Sequence, residues 1–405
     1  MVVAEKLSDK KKIRMLGFLL MAAYFASYLT RINYGAVIAE IVAAEGIKKS
    51  AASLALTGSA VTYGLGQLLS GYLGDIINPK RLVLCGLIVS ATVNILIPAC
   101  NTVYPMIILW SINGLAQAFM WPPMVRIMTV LLNSADYHRV CIRVSWGGSF
   151  GTVAIYLFSP LLIKLGGWKC VFIVSFAIAT LMIIIWGLFC PNITESLSET
   201  AYKGKENPTK FKFSGFLIII MVVIALEGML RDGITTWMPS YISESFGLGS
   251  GISILTGVVL PLFSIFTYQL TEIAYERAVN NAVLLSAIIF LIGFSALIFM
   301  AAFGSRSALL SVISAALAVG SMHGVSLLMT CMVPAFFGSY GKVSFISGLL
   351  NSCTYIGSAL STYGTAAFSE SLGWNTTVYA WGFIALTGGM HCFLISEKWR
   401  KFTGI

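Results

Sequence analysis

Charge is what this 405-residue sequence has least of: Asp, Glu, Lys and Arg make up 10% of it, against 58% hydrophobic residues. That balance excludes most soluble classes, whose surfaces need more charge to stay solvated. Histidine is almost missing, with only His138, His323 and His391, and no nucleophile, base and orienting group form a catalytic constellation, so an enzyme is not expected. The eight cysteines stand singly with no Cys-x-x-Cys pair, which argues against a zinc site and against a disulfide framework. No Gly-x-x-x-x-Gly-Lys phosphate loop occurs, so direct ATP coupling has no support, and neither a metal nor a cofactor is expected.

What the chain has in abundance is long apolar runs. Windows of about 20 apolar residues recur over approximate spans 13–38, 51–74, 81–100, 105–132, 143–164, 168–190, 214–242, 251–271, 281–302, 307–334, 341–368 and 374–396. They lack the two-residue alternation of barrel strands, so the expected fold is an all-α membrane protein with twelve transmembrane helices. The bilayer is then its main partner. Basic residues fall unevenly: with both termini on one side, that side collects about 18 and the other about five, which places both termini in the cytoplasm. The net charge of +10 reflects this topology and implies no nucleic-acid partner. Short loops suit a bacterial cytoplasmic membrane, and a monomer is the default for such a chain.

The longest polar stretch, Pro191 to Lys212, cannot bury a core and divides the chain. We expect an N-terminal bundle of six helices over 1–190, a cytoplasmic linker over 191–213 and a second six-helix bundle over 214–405. Tyr137-His138-Arg139-Val140 is echoed 203 residues later as Tyr340-Gly341-Lys342-Val343, and Gly167-Trp168 is echoed 206 later as Gly373-Trp374. Two pseudo-symmetric halves in register are what a transporter built from parallel repeats shows.

Two arginines share that register. Arg31 and Arg231 lie 200 residues apart, each deep in an apolar run. An ionised guanidinium at membrane depth costs at least about 2.5 kcal/mol and persists mainly where it faces a cavity or a partner. One reading is a central anion site; the other is snorkelling to the interface. Glu227 lies one helical turn before Arg231, where an i,i+4 pair shares a face. It is either a structural counter-ion or a protonatable switch that couples transport, and Asp232 reads as a polar residue of the outer cavity. Tyr34, Tyr63 and Asn351 sit at depths suited to lining a pathway or to helix packing, and His323 is a further candidate contact.

Three stretches carry a family resemblance. Gly71-Tyr72-Leu73-Gly74-Asp75-Ile76-Ile77-Asn78-Pro79-Lys80-Arg81 resembles the loop signature between the second and third helices of the major facilitator superfamily. The run Gly114 to Arg126, with Gln117 and Trp121-Pro122-Pro123, resembles the fourth helix of organophosphate:phosphate antiporters, and Arg231-Asp232-Gly233-Ile234-Thr235-Thr236-Trp237-Met238-Pro239-Ser240-Tyr241 is similar to their seventh. The resemblance implies a major facilitator fold and a secondary transporter that exchanges a phosphorylated metabolite for inorganic phosphate, with Arg31 and Arg231 gripping the phosphate. It also implies an ionic latch between Asp75 and Arg126 at the inner gate, although Arg126 would equally suit a membrane-surface anchor.

Departures matter as much. Ile32 stands where the antiporters usually carry lysine, although Asn33 is kept; Gln67 replaces another lysine, and Phe150 a substrate-contacting histidine. Loss of these cations leaves a proton-coupled symporter of an organic anion or sugar derivative, using Glu227, as an alternative. A transporter-like metabolite receptor is a third.

Overall fold

The computed structural model describes residues 2–3, 6–47, 49–193, 215–247 and 250–404. The linker expected over 191–213 therefore lies, from residue 194 on, outside the described residues. Helices follow one another as α1 (Lys10–Ala36), α2 (Ile38–Glu45), α3 (Lys49–Ile76), α4 (Pro79–Leu96), α5 (Val103–Ala118), α6 (Trp121–Leu131), α7 (Ser134–Phe189), α8 (Gly215–Phe246), α9 (Ser250–Arg277), α10 (Ala282–Phe303), α11 (Ala308–Leu327) and α12 (Val343–Thr403). The strands among the described residues are two-residue pieces, Val2–Val3 paired with Asn192–Ile193.

Nine stretches of the described residues are long and apolar enough to cross a membrane. One of them, α7, is two helices meeting where Gly166 and Gly167 leave helical geometry. The long helices α3 and α8 supply two more, giving the twelve spans of the sequence reading. Large apolar side chains such as Leu165, Leu188 and Phe383 stay exposed, as lipid-facing residues must.

Local sequence explains where the helices break. Asn78 accepts from the Lys80 amide at 3.0 Å and starts α4, and Asn281, 203 residues later, does the same for α10 through Val283 and Leu284. Gly167 and Gly373 adopt φ of 70° and 77°, a left-handed conformation that favours glycine, and each turns the chain into the helix that begins with its neighbouring tryptophan. The fourth span breaks at Phe119 and Met120, because Pro122 and Pro123 carry no amide proton and can only open the new helix α6. A π turn over Leu328–Met332 precedes Pro334 in the same way.

The chain divides into two compact units, Met1–Lys210 with Phe337–Leu349, and Phe211–Phe336 with Leu350–Ile405. In the first, Tyr34 packs on Trp110 with ring centroids 5.0 Å apart, and Phe172 meets Trp110 edge-on at 5.9 Å. In the second, Trp399 gathers Phe336 at 5.3 Å, Phe402 at 5.6 Å and Phe216 at 6.1 Å. Among the described residues Cys85, Cys100, Cys170, Cys190, Cys353 and Cys392 are free thiols.

Candidate functional site

In the first unit, Arg31 is placed by a buried polar network one residue away. Thr30 is fully buried; its carbonyl accepts from Asn94 at 3.1 Å and Asn113 at 2.9 Å, and its hydroxyl from Gln117 at 2.9 Å. Gln117 also donates to Ser90 at 2.9 Å, and Asn33 donates to Asn94 at 2.6 Å. These bonds tie α1 to α4 and α5 and fix its rotation, since a buried polar group that loses its partner costs about 1–3 kcal/mol. Successive helix residues point about 100° apart, so Arg31 turns elsewhere. Its guanidinium carbon lies 4.0 Å from the ring centre of Tyr63 and 5.4 Å from that of Tyr28, a cation–π seat.

Several residues expected to meet substrate have other work here. Asn33 is fully buried within that network, and Tyr34 is fully buried with its hydroxyl donating to the Ala52 carbonyl at 3.3 Å. Both act in packing, because the face of α1 they occupy is the one that seals the bundle core. Gln67 is buried too, its amide reaching the Ala118 carbonyl at the α5 break at 3.5 Å. Tyr63 holds Arg31, whereas Phe150 is 42% exposed on α7 and Asn351 is half-buried on α12.

Asp75 and Arg126 both lie where α3 ends. The Asp75 carboxylate accepts from the amides of Ser344 at 3.0 Å and Phe345 at 2.8 Å, within the same unit. These amides open α12, where free N–H groups and the helix dipole favour a negative charge. Arg126 donates through Nη1 to the Gly74 carbonyl.

The second unit builds a denser cluster. Asp232 faces Arg231 with both oxygens, Nε to Oδ1 at 2.8 Å and Nη2 to Oδ2 at 3.1 Å. Nη1 lies 3.2 Å from Glu227 Oε1 and donates to Ser326 Oγ at 3.3 Å. The Glu227 side chain is completely buried, that of Arg231 is 14% exposed and that of Asp232 29%. His323, one turn before Ser326 on α11, shares a hydrogen bond with Tyr268 at 3.0 Å. The backbones of α8 and α12 pack closely beside this cluster: a side chain at Gly228 would meet the Thr354 carbonyl, and one at Gly357 the Ala225 carbonyl.

Sequence reasoning missed the Asp232 fork, Ser326, Tyr28 and the Thr30 hub. Adjacent helix residues do not face each other by the usual rule, so Asp232 carried no pairing signal. Ser326 did carry one, since it lies three residues after His323 on one helix face.

An all-α chain of twelve spans that keeps arginines and carboxylates at membrane depth is a multi-pass membrane protein with a polar site inside its bundles. It belongs to the Major Facilitator Superfamily, whose family model matches residues 20–362. Over 148 residues it is 28% identical to a probable hexose phosphate transport protein of Chlamydia muridarum (strain MoPn / Nigg), covering 36% of this chain and 32% of that one. Over 281 residues it is 27% identical to a glycerol-3-phosphate transporter of Bacillus subtilis (strain 168), covering 60% of this chain and 62% of that one. The chain thus spans from about a third to under two thirds of the length of these curated relatives. Among solved structures, the proton:xylose symporter XylE superposes with a TM-score of 0.76 at 11% identity, covering 95% of this chain and 96% of that one, a likeness of fold alone.

Proposed function

We propose that this protein is a secondary active transporter of an organic anion, a phosphorylated metabolite exchanged for inorganic phosphate by alternating access. The observation that carries this reading is Arg231, held at membrane depth with its fork engaged by two carboxylate oxygens. A guanidinium in that geometry suits an oxyanion, and charge-assisted bidentate bonds are strong where water is scarce. Arg31, at the same register 200 residues earlier, supplies the second cation. The names of the relatives, hexose phosphate and glycerol-3-phosphate transporters, support the same anion class. Both termini are cytoplasmic in this proposal, the membrane is the bacterial cytoplasmic one, and the protein works as a monomer.

A second reading is favoured by one observation. Glu227 is fully buried 3.2 Å from Arg231, where a proton on the carboxylate would remove one of the two negative charges that compete with an anion for the guanidinium. That would couple uptake to protons rather than to phosphate efflux.

Uptake of labelled glycerol-3-phosphate and hexose phosphates into proteoliposomes separates the two. Exchange requires uptake that depends on internal phosphate and is indifferent to a pH gradient. Symport requires uptake that an inward proton gradient drives into phosphate-free vesicles and that Glu227→Gln abolishes.

A further inference from the structure

The Arg231 cluster holds its own substitute for the cargo. A guanidinium presents five N–H donors in a fixed fork. Here the Nε and Nη2 edge is taken by the two oxygens of Asp232, at 2.8 and 3.1 Å, the same bidentate arrangement that a carboxylate or phosphate head group adopts. The Nη1 corner faces Glu227 and Ser326. The two carboxylates differ in one respect that points to their roles: Glu227 is sealed at 0% exposure, whereas Asp232 is 29% exposed and not enclosed. An incoming oxyanion that engages the fork must displace Asp232, while Glu227 remains as fixed counter-charge.

We propose that Asp232 is the resident counter-anion of this carrier: it occupies the Arg231 fork when cargo is absent and is exchanged for an oxyanion presenting two oxygens. This rests on the anion-transport reading above and adds a consequence. Without Asp232 the Nε and Nη2 edge of the empty carrier loses its acceptor while Glu227 still faces Nη1, and a buried donor edge left unsatisfied is costly, so such a carrier changes access more readily when loaded. With Asp232 in place the empty fork is satisfied, and the unloaded carrier returns slowly, a leak beside the faster exchange. The residue therefore trades affinity for net flux.

Two measurements on the full chain test this. Inorganic phosphate binding is titrated by intrinsic tryptophan fluorescence in detergent for the wild type, Asp232→Asn and Asp232→Ser. Labelled phosphate flux is then measured in liposomes as exchange and as net efflux into phosphate-free buffer. Removing the carboxylate should tighten phosphate binding by about tenfold or more and raise the ratio of exchange to net efflux by a similar factor. A merely structural role would move neither in that direction. Phosphate binding by the wild type, with affinity and flux ratio unchanged or affinity weakened in whichever folded variant is obtained, overturns the role of Asp232 alone. Absence of phosphate binding in folded wild type and folded variants overturns the anion reading and this inference together.

Discussion

The two membrane-embedded arginines have different surroundings. Arg31 sits against the rings of Tyr63 and Tyr28, whereas Arg231 is bracketed by Glu227 and Asp232. A ring face stabilises a guanidinium without occupying its N–H donors, by about 0.5–2 kcal/mol depending on desolvation. Tyr63→Phe should therefore preserve transport, and Tyr63→Leu should raise the half-saturation concentration about threefold or more, as measured by initial uptake rates in proteoliposomes. The neighbourhood of Glu227 and Arg231 is legible in the sequence, since four residues on a helix return to one face. The Asp232 fork is not legible, because it depends on a long side chain folding back along its own helix, which residue spacing does not encode. Asn33, kept from the family pattern, and Tyr34, at a depth suited to lining a pathway or to helix packing, are both turned into the core by the helix.

At the scale of elements, the apolar runs mark the spans, and proline and glycine mark the breaks. Trp121-Pro122-Pro123 announces the interruption between α5 and α6, and the two Gly-Trp pairs announce the corners inside α7 and α12. Hydropathy ends the first span at 38, close to the break at Val37, but does not reveal the short helix α2 that follows it. Nor does it show that residues 337–349 group with the first unit, since their amides meet Asp75 across 269 or 270 positions of sequence. What holds α1, α4 and α5 in register is the Thr30 hub, in which Asn94 makes two of the bonds between helices. Asn94→Ala leaves the Asn33 amide without its acceptor and should cost about 1–3 kcal/mol. The expected signs are a lower thermal midpoint in detergent and weaker transport through a misplaced Arg31; an unchanged midpoint would contradict the hub.

Across the whole molecule, the same punctuation is laid down twice. Gly46 and Gly247, 201 residues apart, both adopt φ of 63°, Asn78 and Asn281 both cap the third helix of their half, and Gly167 and Gly373 both turn left-handed. A repeated framework with differently dressed arginines gives one half a cation seated on aromatic rings and the other a cation already clamped by carboxylates. Ile32, Gln67 and Phe150 stand where the resemblance implies further cations and a histidine, so in the function proposed above the anion falls chiefly to Arg31 and Arg231. The most direct measurement is exchange of labelled inorganic phosphate by purified protein in phosphate-loaded liposomes without a pH gradient, alongside Arg31→Lys and Arg231→Lys. Lysine keeps the charge and loses the fork. The account predicts exchange by the wild type and its near-complete loss in both variants despite normal membrane insertion; exchange at wild-type rates in either variant would contradict it.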